Sequence, residues 1–213
     1  MTHTQLSFAL LLLLALDLPA STSADEAVEP PLTYEVTVGE QTATIAEGQT
    51  GQLDGTFTNP AISVTLQPHR VFSCQGITFK YPRAFTFEAD VEDPEYKTWT
   101  LDGTDFQIMV MVLQAPLTAA QFAENMIDQL GRDNVTIVKP PATITLGQEK
   151  LSGTSLQVNV EGHQMATDIY RLASPLTATK LLIFQDILDD AGKPSAEATQ
   201  TIAQLKASFS LQR

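Results

Sequence analysis

A single cysteine, Cys74, in a chain of 213 residues excludes an intramolecular disulfide. Stability must then come from an apolar core, which a hydrophobic content of 43% can supply. With no cysteine or histidine beside it, Cys74 reads as a small buried apolar side chain rather than a reactive thiol. Basic residues are scarce, with 12 Lys and Arg against 25 Asp and Glu, a formal net charge of −13. Such a chain repels phosphate backbones and anionic lipid, which argues against nucleic acid as a partner. Histidine is limited to His3, His69 and His163, none with a second ligand at metal-binding spacing, so there is no zinc pattern. No apolar run approaches the ~20 residues that span a bilayer. No period of 20 to 50 residues recurs, which excludes a solenoid. Catalytic signatures are missing too. Gly153-Thr154-Ser155-Leu156 lacks the closing glycine of a nucleophile elbow, and Gly147 to Gly153 lacks the spacing and the lysine-serine pair of a phosphate loop.

What the chain does have begins near the N-terminus. Leu10 to Leu14 is an unbroken leucine run inside the apolar stretch Phe8 to Leu16. That length fits the hydrophobic region of a secretory signal peptide, and Thr22-Ser23-Ala24 places small side chains at both recognition positions for cleavage. Residues 1–24 are therefore read as a signal peptide cleaved near Ala24. Met1 to Gln5 offers only His3 and the α-amino group as positive charge, so a short apolar helix retained as an anchor is the alternative. No cysteine lies near the cleavage region to make a lipoprotein.

Residues 25–32 are acidic and proline-punctuated and read as a flexible leader. Residues 33–72 read as a small all-β module. Tyr34 to Val38 and Thr42 to Ala46 alternate about a turn at Gly39-Glu40, and Ile62, Val64 and Leu66 share one face of a later strand. Residues 73–213 form a second region. Ile77, Phe79 and Tyr81 alternate up to Pro82, Tyr96 to Leu101 alternates, and Phe106 to Leu113 is apolar on both faces after the turn Asp102-Gly103. A helix is predicted over Ala119–Leu130, capped by Thr118 and Gly131, with Phe122, Met126, Ile127 and Leu130 as its apolar stripe. Four strand-like runs follow, at Val135–Val138, Leu151–Val160, Met165–Leu172 and Lys180–Phe184, then an amphipathic helix over Ser195–Phe209. The order predicts an α+β fold: a mostly antiparallel sheet with two long helices packed on it as an α/β/α sandwich, preceded by the small β module.

The run Gly76-Ile77-Thr78-Phe79-Lys80-Tyr81-Pro82 opens a recognisable frame. A helix with Phe122, Met126 and Leu130 follows, then Leu146-Gly147 through Gly153-Thr154, then a closing helix ending Ala207-Ser208-Phe209. Over Gly76 to Arg213 this frame resembles the PsbP-like and DcrB-like superfamily. The resemblance implies an α/β/α sandwich and a binding or assembly role without catalysis, and it carries no site residues.

The densest candidate chemistry is acidic. Glu88, Asp90, Glu92, Asp93 and Glu95 crowd around Pro94, with Asp102 and Asp105 beyond, but without the residue order of an EF-hand. Asp186, Asp189 and Asp190 form a smaller group. Two function classes result. The first is an exported, non-catalytic envelope protein, periplasmic or secreted, that binds a protein partner; it has no catalytic, cofactor-binding or metal-ligating residue, and no membrane span after cleavage. The second is an exported hydrolase that pairs carboxylates of residues 88–105 in a cleft. Intact mass of the protein recovered from the producing cell's envelope tests the export step: the expected N-terminus is Asp25, and a mass that retains residues 1–24 would leave only the anchor alternative.

Overall fold

The computed structural model describes residues 27–138, 141–160, 162–173 and 178–212. The signal segment 1–24 and the side chain of His163 lie outside the described residues. Three strands come first, β1 (Thr33–Val38), β2 (Gln41–Ala46) and β3 (Ile62–Leu66), in the spatial order β2–β1–β3. The hairpin of β4 (His69–Cys74) and β5 (Ile77–Pro82) follows. Its turn residues Gln75 and Gly76 both have positive φ, 53° and 75°, the mirror-image turn that matches strand twist.

A large antiparallel sheet then forms. Its strands are β6 (Thr86–Asp90), β7 (Tyr96–Asp102), β8 (Phe106–Leu113), β9 (Val135–Val138), β10 (Thr143–Leu146), β11 (Glu149–Val160), β12 (His163–Leu172) and β13 (Thr179–Ile187). They lie in the order β10–β11–β12–β13–β8–β7–β6, with β9 also on β11. Helix α1 (Ala119–Leu130) links β8 to β9; α2 (Ala196–Ser208) and the short β14 (Ser210–Leu211) close the chain. The order β14–β5–β4 makes a third sheet.

The middle of the large sheet is apolar on both sides. Along β13, Leu181 and Ile183 face one way and Leu182 and Phe184 the other, all buried. On the first face α1 brings Ala119, Ala123 and Ile127 onto Leu156, Val158, Ile169, Leu181 and Ile183. A capping box starts this helix: the Gln121 amide N–H donates to the Thr118 hydroxyl at 3.1 Å, and the Thr118 amide N–H donates to the Gln121 side chain at 2.9 Å. On the second face Phe72, Phe79 and Tyr81 of the β4–β5 hairpin cover Trp99, Leu101, Ile108, Val110, Leu182 and Phe184. Phe72 stacks on Phe79 at 4.9 Å and meets Trp99 edge-on at 6.2 Å. Each such large side chain contributes about 1.5–3 kcal/mol when fully buried.

This is not the α/β/α sandwich that the sequence predicts. The two helices are short, 12 and 13 residues, and only α1 forms a layer by itself. The strand Ile77–Pro82 does not join the large sheet. It pairs with β4 and β14 and lies across that sheet as a covering layer, with Ile77, Phe79 and Tyr81 fully buried. Helix α2 turns small side chains inward, Ala198 and Thr201 beside Leu205, and packs alongside β5 and β10. An alternating apolar strand looks the same in sequence whether it belongs to a sheet or lies on one, so the fold is mostly antiparallel β. The apolar stripe of α1 also shifts. Ala119, Ala123 and Ile127 make the close approach, Phe122 and Met126 are half-buried, and Leu130 is 36% exposed.

The residue at which the sequence divides the chain, 72, falls inside β4. Upstream, the Arg70 guanidinium holds the Glu29 carboxylate at 2.6 Å and donates to the Pro30 carbonyl at 2.8 Å, tying the leader to β4. Cys74 is half-buried against the larger core cluster.

Gly153 marks the tightest strand contact, because a Cβ there would stand 2.0 Å from the Ile169 carbonyl oxygen. Gly153→Ala is expected to lower the unfolding free energy by about 2–3 kcal/mol in urea titrations. Gly39→Ala, at φ +63° in open space, costs only about 1 kcal/mol. Equal losses in the two variants would contradict this packing.

Candidate functional site

The acids of residues 88–105 are spread over exposed or half-buried positions. In β6, Phe87 and Ala89 turn toward the core, so Glu88 and Asp90 stand on the opposite, exposed side. Asp90 accepts the Tyr96 hydroxyl at 3.1 Å, and Asp93 Oδ1 accepts the Glu95 amide at 2.7 Å, which shapes the loop between β6 and β7. Asp102 and Asp105 are exposed at the far end of β7 and share a recess of about 160 Å³ with Gln107, Met165 and Ile187. Among the described residues, no group of three His, Cys, Asp or Glu side chains is placed to hold a metal ion. Burial and the nearby Lys80 ammonium push the His69 imidazole below its ordinary value.

Three carboxylates, the buried Asp186 and the half-buried Glu197 and Asp168, serve as fasteners. Glu197, in the first turn of α2, takes three backbone N–H groups on one oxygen: Thr104 at 2.8 Å, Asp105 at 2.7 Å and Phe106 at 3.0 Å. Asp186 accepts the Ser195 amide at 3.2 Å, at the N-cap of the same helix. Burial pushes the Asp186 carboxyl above the ordinary carboxylate range, and the bonds from Ser195 oppose that shift. Asp168 accepts the hydroxyls of Ser155 and Tyr170, and burial beside this carboxylate raises the Tyr170 phenol. The Glu197 and Asp186 contacts bind the start of α2 to β13 and to the β7–β8 loop. Glu197 was not singled out from the sequence; its only local signal is an acid in a first helical turn.

The feature left open is the three-stranded sheet. Register places Tyr34, Val36 and Val38 of β1, Ala43 and Ile45 of β2, and Ile62, Val64 and Leu66 of β3 on one face. The other face is polar, with Glu35, Thr37, Thr44, Ser63 and Thr65. The loop after β2 covers part of the apolar face, where Gly51 sits against the Ile45 side chain. Among the described residues the outer part of β3 is left open, with Ile62 66% and Val64 62% exposed, while Leu66 is half-buried. The sequence identified the shared face; that it stays in water is a tertiary fact. β3 is also an edge strand, hydrogen-bonded on one side to β1. A second apolar recess, of about 280 Å³, runs between α1 and β9 and is lined by Ala120, Ala123, Ile137, Val138 and Pro141.

No protein-family model and no curated protein matches the sequence. Among solved structures the chain is similar to the Ran-binding protein Mog1p of Saccharomyces cerevisiae, with 9% identity and a TM-score of 0.43 over 67% of this chain and 95% of that one. It is similar to the cyanobacterial PsbP (CyanoP) of Synechocystis sp. PCC 6803, with 11% identity and a TM-score of 0.44 over 76% and 98%. It is similar as well to LpqN of Mycobacterium tuberculosis, involved in cell envelope biogenesis, with 16% identity and a TM-score of 0.40 over 64% and 83%. A PsbP is thus among these structures, as the sequence resemblance implies, whereas a DcrB-like relationship is not shown. Every one of these TM-scores is below 0.5, so no role passes from those proteins to this chain.

The Asp186 carboxyl gives a pH test. Because its folded value is raised, the folded protein holds this proton more tightly than the unfolded chain does. The ionised form costs stability at neutral pH, and that cost disappears as pH falls through the ordinary carboxylate range. Asp186→Asn is therefore expected to melt above the wild type at about pH 7, with the difference closing toward about pH 4. A constant difference across that range would remove the buried carboxylate as its cause.

Proposed function

We propose that this protein is exported and acts in the cell envelope or periplasm as a non-catalytic binding or assembly module that holds a protein partner. The single observation that carries the reading is the three-stranded sheet. Ile62 and Val64 stand exposed on its apolar face beside an open strand edge, while the carboxylates Glu197 and Asp186 are engaged in fastening the fold. Contiguous exposed apolar surface of this kind marks interaction sites, and an open edge adds main-chain hydrogen bonding to them. The apolar N-terminal run supports export. Among the described residues, no helix is long and apolar enough to cross a membrane. The hydrolase alternative gains no support from the acids of residues 88–105, since Glu88 and Asp90 point outward from an edge strand.

Site-specific photocrosslinking in the producing cell tests the reading. A photoreactive residue in place of Ile62 is expected to form a discrete protein adduct, and the same group in place of Glu88 none. Adducts at neither position, or equally at both, would sink it.

A further inference from the structure

We propose that the open apolar face of β3 receives a basic amphipathic segment of a partner protein, whose apolar side chains pack on Ile62 and Val64 while its Lys and Arg residues meet the acids at that end of the sheet. This deepens the docking reading above and rests on it.

Charge selects this occupant. All 12 Lys and Arg residues lie at position 70 or later. Residues 25–69 carry seven acids and no Lys or Arg, so these 45 residues hold a net −7, whereas residues 70–213 together hold a net −5. The first basic residue, Arg70, is committed to Glu29 and to the Pro30 carbonyl.

Two of the remaining acids border the exposed side chains. The Gly39 amide donates to the Ala61 carbonyl at 2.8 Å, which holds Glu40 of the β1–β2 turn at the Ile62 end of β3. Gln41, Val38 and Ile62 lie in one row across the sheet, two strand spacings or about 10 Å from end to end. Gln41 shares the apolar face with Ala43 and Ile45, and its side-chain amide donates to the Asp54 carbonyl at 2.7 Å. The loop that carries Asp54 therefore crosses the apolar face over β2 and leaves β3 open beside it. Phe57 of the same loop is exposed and adds apolar surface. Among the described residues neither Glu40 nor Asp54 is ion-paired. The exposed pair Ile137 and Val138 on β9 lacks this setting, since Arg132 and Lys139 flank it in sequence.

Packing face-on covers the side chains that stand in water, which pairing along the strand edge would leave exposed. Ile62 and Val64 are about 7 Å apart along the strand, a separation that the apolar stripe of one amphipathic element can match. A nucleic acid, an anionic lipid surface or a second copy of this chain would each bring further negative charge to this end of the sheet. Because the apolar strip is short, binding leans on the charges and weakens as salt rises.

The photoreactive residue in place of Ile62 supplies the test. Tandem mass spectrometry of the adduct formed in the producing cell locates the attachment point on the partner. The expected segment is one in which Lys and Arg outnumber Asp and Glu and apolar residues share one face. Adding Glu40→Gln and Asp54→Asn is expected to lower the adduct yield roughly fivefold. Glu88→Gln with Asp90→Asn, the same change of charge on β6, should leave the yield unchanged. The captured segment, made as a synthetic peptide, should bind the purified protein with an affinity that falls severalfold as salt rises, and should not bind the variant Ile62→Ser with Val64→Ser, whose melting temperature stays near that of the wild type. Attachment to an acidic or neutral segment, to lipid or to a second copy would overturn the proposal, as would equal losses of yield in the two charge variants or a peptide that binds the serine variant as well as the wild type. If position 62 crosslinks a protein segment that is not basic, the docking reading stands with a different occupant; without any adduct at position 62 both fall.

Discussion

A sheet whose central strand is apolar on both faces has to be covered twice. β13 sets Leu181 and Ile183 against one side and Leu182 and Phe184 against the other, and all four are withdrawn from water. The chain meets that requirement with unlike covers. Helix α1 closes one face through small residues that let it approach closely. The other face takes the β4–β5 hairpin, whose aromatic side chains interlock with Trp99, and α2 fills the space beside it. The acids Glu197 and Asp186 then fix where α2 begins. Placement of the hairpin, the helices and the buried polar contacts follows from this one demand.

The same demand shapes how the interior polar groups are used. Several polar groups reaching the interior satisfy backbone amides or one another, as in the contacts from Ser155 and Tyr170 to Asp168. The exposed carboxylates of β6 and its loop face solvent because strand alternation turns their neighbours Phe87 and Ala89 inward. What stays open is the small sheet at the N-terminal side. Its three strands can satisfy their own ladder but have no second layer over β3. A sheet of three short strands with one apolar face is near the lower limit of independent stability, which makes covering that face favourable for whatever binds there.

Much of the element pattern was legible. The alternating runs on either side of Gly39-Glu40, and those before and after Gly162, pair as β1 with β2 and β11 with β12. Helix α1 has the limits that Thr118 and Gly131 set, because capping is a local interaction between residues three or four apart. Layering was not legible. The strand Ile77–Pro82 shows only that one of its faces is apolar, and the choice between pairing edge-on and packing face-on depends on residues far away in sequence, Trp99 and Leu182 among them.

The candidate site divides the same way. The sequence by itself determined that Ile62, Val64 and Leu66 share a face, that β3 carries no charge or proline, and that the chain is acidic with one cysteine, because these are properties of residue order and composition. Only the tertiary structure decided that this face lies uncovered at a sheet edge while the equally apolar β5 is buried. Exposure is set by what the rest of the chain has left over to cover a surface, and no local pattern encodes that remainder.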